Sequence, residues 1–273
     1  MSALLKNDIK NSDVTTNSLI KGNKSINAVI IAKESGILAG LEEFGLLNED
    51  LKIRLLKKDG DGIKKGDVLA EISGDAKKIL ERERMSLNLL QRMSGIATLT
   101  GRLAKELGNK ARIAATRKTL WGSMDKKAVS VGNGLAHRLN LNDGVIIKDN
   151  HLKILNYDIE KALTLAKNKS KCIEIEVENK EQALSAAYAI KKFKKNKSKN
   201  LFAIMLDKIP PKGIKSIIGE LRKQGLYDYV LLEASGNISP DNLKKYANSG
   251  VDVISMGCIT NSAKALDLSL EIR

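Results

Sequence analysis

Apolar residues fall into two different patterns along this chain. From about residue 111 onward, short apolar runs alternate with amphipathic stretches. The runs are RIAAT (112–116), GVIIK (144–148), CIEIEVE (172–178), LFAIMLD (201–207), YVLLEASG (229–236) and VDVISMG (251–257). Their length and β-branched content predict buried strands. The stretches between them, DIEKALTLAKN (158–168), KEQALSAAYAIKKF (180–193), PPKGIKSIIGELRKQG (210–225) and SPDNLKKYANSG (239–250), space their apolar residues as helices do. Strands recurring roughly every 20–30 residues have the period of βα units. Over 111–262 this predicts a parallel sheet that closes, fully or nearly, into an α/β barrel.

Residues 1–110 read differently. NAVIIAKESGILAGLEEFGLL (27–47) and GDGIKKGDVLAEISGD (60–75) suggest short strands and turns, as in a small α+β or sandwich-like unit. KKILERERMSLNLLQRMSGIATLTGRLAKELG (77–108) predicts a linking helix, interrupted near Ser94-Gly95. Leu87, Leu90 and Met93 share one of its faces by helical spacing, with Arg84 close to that face. The tail, 263–273, is expected to be a helix returning to the first domain. The expected class is thus α/β: an N-terminal α+β sandwich-like domain followed by an open, incomplete α/β barrel.

Composition narrows the class. With 42% hydrophobic residues a sizeable core can form, and with only 3% aromatic it must be aliphatic. No apolar run approaches the roughly 18–20 residues of a membrane span. The N-terminus lacks the basic-then-apolar order of a signal peptide. Two cysteines, Cys172 and Cys258, make neither a disulfide framework nor a zinc site. A soluble cytoplasmic protein is expected, with no membrane partner. The net charge of +15 raises the question of nucleic acid, but three Phe, one Trp and five Tyr offer few stacking platforms. Much of the excess is diffuse lysine, as in KKFKKNKSKN (191–200), and no nucleic-acid partner is expected. The ten arginines are less diffuse: seven (Arg82, Arg84, Arg92, Arg102, Arg112, Arg117, Arg138) fall between 82 and 138. Guanidinium forks suit carboxylates and phosphates.

The ends of the predicted strands carry chemistry. They finish on Thr116-Arg117-Lys118, Lys148-Asp149, Glu176 and Glu178, Asp207, Glu233 to Gly236, and Gly257. In a βα barrel the active site sits at the carboxyl ends of the strands. Cations come first along the chain, carboxylates next and glycines last, an order that a random rim would not show. Three further features between 115 and 151 read as structural. His151 holds the loop after its strand, Trp121 packs, and VGNG (131–134) marks a backbone bend.

These residues resemble a known family, quinolinate phosphoribosyltransferase, also called carboxylating nicotinate-nucleotide pyrophosphorylase. The resemblance runs from DVTT (13–16) through ERERMSLNLLQRMSGIAT (81–98). It is strongest across TRKT (116–119), HRLNLNDGVIIKDNH (137–151), EIEVEN (174–179), MLD (205–207), LEASGNIS (232–239) and GVDVISMGCITNS (250–262). Trp121, Asn133, Lys208 and Ala234 depart from the family pattern without removing a charged group. The resemblance implies a homodimer with shared active sites, or a higher oligomer built from it, that joins quinolinate to phosphoribosyl pyrophosphate and decarboxylates it to nicotinate mononucleotide in NAD biosynthesis. It implies that Arg84 (supplied by the partner subunit), Arg117, Lys118, His137, Arg138 and Lys148 hold quinolinate. Glu176 and Asp207 would meet the ribose and magnesium pyrophosphate. Asp207, directly or through water, and Glu176 are the implied Mg2+ ligands. Ser235, Gly236 and Gly257 would surround the phosphoribosyl phosphate. Lys118, Lys148, Glu176 and Asp207 are the implied catalytic residues. The rival reading is a paralogue on the same scaffold, using another pyridine acid such as nicotinate or associated with molybdenum transport.

Overall fold

A computed structural model describes residues 12–273; residues 1–11 of the expected first domain lie outside the described residues. The chain divides into two compact units. One comprises the chain up to Arg102 together with Ser123–Asn133 and Ser262–Arg273; the other comprises Leu103–Gly122 and Gly134–Asn261. Among the described residues, twelve strands run in chain order: β1 (Ser25–Ala32), β2 (Gly36–Ile37), β3 (Lys52–Leu55), β4 (Gly62–Ile63), β5 (Val68–Asp75), β6 (Arg112–Ala115), β7 (Val145–Ile147), β8 (Cys172–Val177), β9 (Leu201–Asp207), β10 (Leu231–Ser235), β11 (Val253–Met256) and β12 (Leu268–Ile272).

The first unit holds a four-stranded antiparallel sheet, β12-β1-β5-β3, and the small pair β2-β4. Its last strand corrects an expectation. The tail is a strand and not a helix: Leu268, Leu270 and Ile272 alternate with Ser269 and Glu271, and the segment pairs with β1 from Ala32↔Leu268 to Ala28↔Ile272. The long helix Ala76–Leu107 is also unbroken over its 32 residues, against the expected interruption at Ser94-Gly95. Both residues serve packing there. The Ser94 hydroxyl accepts the Ala39 N–H at 3.0 Å. A side chain at Gly95 would collide with the Lys264 carbonyl, so glycine is what lets that backbone lie against the helix.

The helix Ser123–Val131 groups with this first unit, although the sequence order assigns it to the barrel. Asp125 explains the difference. Its side chain is fully buried and takes a two-pronged bond from Arg92, with Nε and Nη2 both at 2.7 Å. Gly132 then packs where a Cβ would meet the Ala97 carbonyl at 2.5 Å. VGNG thus provides close approach and, at Asn133, a left-handed turn (φ 64°).

The second unit is a six-stranded parallel sheet in the order β6-β11-β10-β9-β8-β7. Its strands are apolar on both sides, as a covered parallel sheet requires: Ile113, Ile173, Ile175, Phe202, Ile204, Leu206, Leu232 and Ile254 are all buried. The helices Ile159–Ala166, Lys180–Lys195 and Pro211–Lys223 each bury one apolar face. Asp158 and Asn179 cap the first two through their side chains. The sheet stays open, with β6 and β7 at its edges. A single parallel bridge, Ala114↔Leu135, attaches the chain to β6 just before His137. The segment from Leu135 to β7 therefore spans the gap between the two edges.

Candidate active site

The carboxyl ends of the six parallel strands surround a cavity of about 470 Å3. Arg117, Lys118, His137, Arg138, Lys148, Glu176, Asp207, Ser235, Gly236 and Gly257 all line it, so the expected constellation comes together with one exception. Arg84 is exposed on the long helix of the first unit and is not among the lining residues. Trp121 is half-buried and also absent from the lining. Glu178 lies beyond the end of β8 and is exposed.

The cations arrive by distinct routes. Arg117 and Lys118 follow β6, where the Lys118 carbonyl accepts the Thr260 hydroxyl at 2.7 Å and its N–H donates to the Thr116 hydroxyl at 3.1 Å. Gly257 lets the Lys118 side chain pass, since a Cβ there would sit 3.1 Å from Lys118 Cδ. Arg138 stands on the gap-spanning segment, and its Nη1 donates to the Gly144 carbonyl at 3.2 Å. Asp143 closes the same loop by accepting the Leu139 N–H at 2.9 Å. Burial, and then the neighbouring Arg117 charge, lower the Arg138 pKa. Two guanidiniums are thus held close enough to disfavour each other. Among the described residues Arg117, Lys118 and Arg138 form no ion pair with a carboxylate, while Lys148 reaches Glu176 at 3.6 Å. His151 plays the structural part expected of it, its Nδ1 accepting the Lys148 N–H at 2.9 Å.

The opposite wall is acidic and tightly turned. Glu176 is half-buried, and burial pushes its carboxyl up against the pull of Lys148. Asp207 ends β9 and pairs with the Lys208 ammonium at 3.0 Å. Lys208 takes a left-handed backbone (φ 56°), and its N–H donates to the Ser235 carbonyl at 2.9 Å. Gly236 faces this turn at φ 87°, where a Cβ would lie 2.6 Å from Lys208 Cγ and 2.7 Å from Asp207 Oδ1.

Sequence reasoning placed Glu233 at a strand end but missed Glu174 and the meeting of both carboxylates beneath His137. Glu174 on β8 and Glu233 on β10 are 3% and 4% exposed, a depth at which a carboxylate needs a partner. His137 Nε2 lies 3.2 Å from Glu174 Oε2 and 3.3 Å from Glu233 Oε2. Burial alone would lower the imidazole pKa, but the two carboxylates outweigh it and raise it to about 10. Burial likewise pushes Glu174 up, reinforced by Glu233. The available signal was the alternation Glu174-Ile175-Glu176, which puts both glutamates on one face of the strand.

Comparison with known proteins fits this geometry. Residues 13–94 match the profile of the quinolinate phosphoribosyl transferase N-terminal domain, and residues 96–271 that of its C-terminal domain. A Methanothermobacter thermautotrophicus protein, named a probable carboxylating nicotinate-nucleotide pyrophosphorylase, is 40% identical over 99% of this chain and 96% of its own. The solved nicotinate-nucleotide pyrophosphorylase of Ehrlichia chaffeensis superposes with a TM-score of 0.83 at 34% identity, covering 100% of this chain and 97% of that one. That of Francisella tularensis gives 0.83 at 32% identity, covering 100% and 94%. With both domains matched in order and the cation-lined cavity at the strand ends, the chain belongs to the quinolinate phosphoribosyl transferase family.

Proposed function

We propose that this protein transfers the phosphoribosyl group of phosphoribosyl pyrophosphate to quinolinate and decarboxylates the product to nicotinate mononucleotide, a step of NAD biosynthesis. One observation carries the substrate class. Arg117, Lys118 and Arg138 crowd one side of the cavity without carboxylate partners, and two of them disfavour each other. Like charges held side by side repel one another, and a ligand with two adjacent carboxylates offsets that repulsion where a monoacid leaves a surplus. Arg117 and Arg138 serve as forks, Lys118 and Lys148 as point charges.

The pyridine nitrogen of quinolinate attacks the anomeric carbon as pyrophosphate leaves. Positive charge grows on the ribose, and Glu176 stabilises it electrostatically. Gly236 and Gly257, which carry no side chain, leave room for the phosphoribosyl phosphate, and the Ser235 hydroxyl is a donor beside it. In the second step the C2–carboxylate bond breaks, its electron pair stays on C2 beside the cationic ring nitrogen, and C2 then takes a proton. Lys118 and Lys148 are the ammonium groups in position to deliver it, directly or through water. The acidic wall suits Mg2+, because its carboxylates are hard oxygen donors and Asp207 commits only one oxygen to Lys208. Asp207, directly or through water, and Glu176 would hold the ion, which would neutralise charge on the departing pyrophosphate. The exposed Arg84 leads us to assign it to the site of a partner subunit in a homodimer.

Titration calorimetry with quinolinate and nicotinate tests the substrate reading. Quinolinate should bind at least tenfold more tightly, and Arg138→Ala should erase most of that preference while sparing phosphoribosyl pyrophosphate. Equal affinity for the two acids would refute a dicarboxylate clamp. Equal loss of all ligands in the variant would show a collapsed site.

A further inference from the structure

The buried pair beneath His137 has no part in the chemistry above, yet it places two carboxylates at 3% and 4% exposure, where each needs a partner. Glu174 and Glu233 come from strands on either side of β9. At Glu174 the paired β9 residue is Ala203, whose methyl leaves the interior free at that level. Each glutamate has one oxygen at the imidazole and a second, Oε1, without a protein partner. His137 itself occupies a left-handed backbone (φ 56°), a conformation that disfavours a non-glycine residue. Burial of two carboxylates and a strained backbone are kept together at one ring that lines the cavity.

The ring's surroundings decide what this achieves. On the cavity side His137 stands among Arg117, Lys118, Arg138 and Lys148, all of which oppose a further positive charge. An unassisted imidazole there would be neutral at physiological pH. With Nε2–H committed to the glutamates, a neutral ring would then offer a bare Nδ1 lone pair, which repels a carboxylate. A doubly protonated ring offers Nδ1–H instead, a charge-assisted donor of fixed direction.

We propose that Glu174 and Glu233 are positioning residues: they clamp His137 from beneath, so that its ring stays an imidazolium and presents Nδ1–H as a permanent donor to the anionic substrate. The substrate side of this statement rests on the quinolinate reading above; the clamp does not. The same three side chains also satisfy the spacing of a metal site, with ligand atoms within 4.8 Å of one another. Proton and metal make different predictions.

The chain has two histidines, so histidine-selective 15N labelling gives a two-ring spectrum, assigned by loss of one ring in His137→Gln. In ligand-free, chelator-treated protein, His137 should keep both ring nitrogens protonated from pH 6 to 9. Glu174→Gln and Glu233→Gln should each move its midpoint down by at least one pH unit. Quinolinate affinity at pH 8 should fall at least tenfold in both variants, with phosphoribosyl pyrophosphate affinity held within twofold. A wild-type midpoint near 6.5, or one that neither variant moves, overturns the clamp even if the variants fold poorly, because the first reading needs only the native chain. One equivalent of zinc retained through dialysis and lost in the variants would overturn it in favour of a metal. An intact imidazolium in a protein that ignores quinolinate would uphold the clamp and refute the substrate reading.

Discussion

Replacing Gly236 by alanine separates two costs that the structure lets us weigh. At φ 87° the added Cβ first incurs left-handed strain, roughly 1–2 kcal/mol. It also lies 2.8 Å from the Lys208 backbone nitrogen, which cannot retreat freely because it donates to the Ser235 carbonyl at 2.9 Å. Overpacking of this kind adds about 1–3 kcal/mol. The total, about 2–5 kcal/mol, should lower the melting temperature by about 4–20 °C at about 2–4 °C per kcal/mol. The displaced group is the Asp207–Lys208 turn, so kcat/KM should fall on the order of 100-fold, as misplacement of a reacting site by an ångström does. Gly250 supplies the control. It has the same backbone sign (φ 94°), but its added Cβ meets only Ile218 Cδ1 at 3.4 Å. Gly250→Ala should therefore lose about 1–2 kcal/mol of stability and keep its activity. Thermal melts and steady-state kinetics on both variants decide the matter. If Gly236→Ala is fully active, or if both variants lose activity alike, the Asp207 wall is not part of the working site.

Two further outcomes follow from particular residues. His137 has a folded pKa raised from 6.5 to about 10, so its contribution to stability is whole below about pH 6.5, shrinks as pH rises and is gone above about pH 10. Urea unfolding between pH 7 and 10.5 should show this decline, and Glu233→Gln should flatten it; an unchanged slope in the variant would separate the pair from His137. Arg84→Ala and Lys118→Ala homodimers should each be nearly inactive, yet unfolding and refolding an equal mixture should restore about a quarter of the sites, since about half the dimers are mixed and each has one intact site. No recovery, with mixed dimers confirmed by mass spectrometry, would refute the sharing of sites between subunits.

Much of the catalytic unit was legible because its signals are local. A parallel strand buried on both faces is a short apolar run, and the first polar residues after it mark the cavity. That logic located Lys118, Lys148, Asp207 and Gly257. It was less apt where long-range contact decides the outcome. Ser94-Gly95 looks like a helix breaker until Lys264 is seen to pack against it, and the tail reads as a helix until β1 provides a sheet edge to join. Glu174 was missed for a related reason: a carboxylate in the middle of an apolar run signals chemistry only when its partner is known, and His137 lies 37 positions away in a different segment. The helix Ser123–Val131 was placed with its sequence neighbours because nothing local in Asp125 announces Arg92.

This cavity is proposed to take a pyridine diacid and to remove one of its carboxylates. Incubation with phosphoribosyl pyrophosphate, Mg2+ and quinolinate labelled with 13C at the 2-carboxylate tests it most directly. Labelled carbon dioxide and nicotinate mononucleotide should appear in equal amounts, with no nucleotide formed from nicotinate under the same conditions. Nucleotide from nicotinate and none from quinolinate would refute the diacid reading.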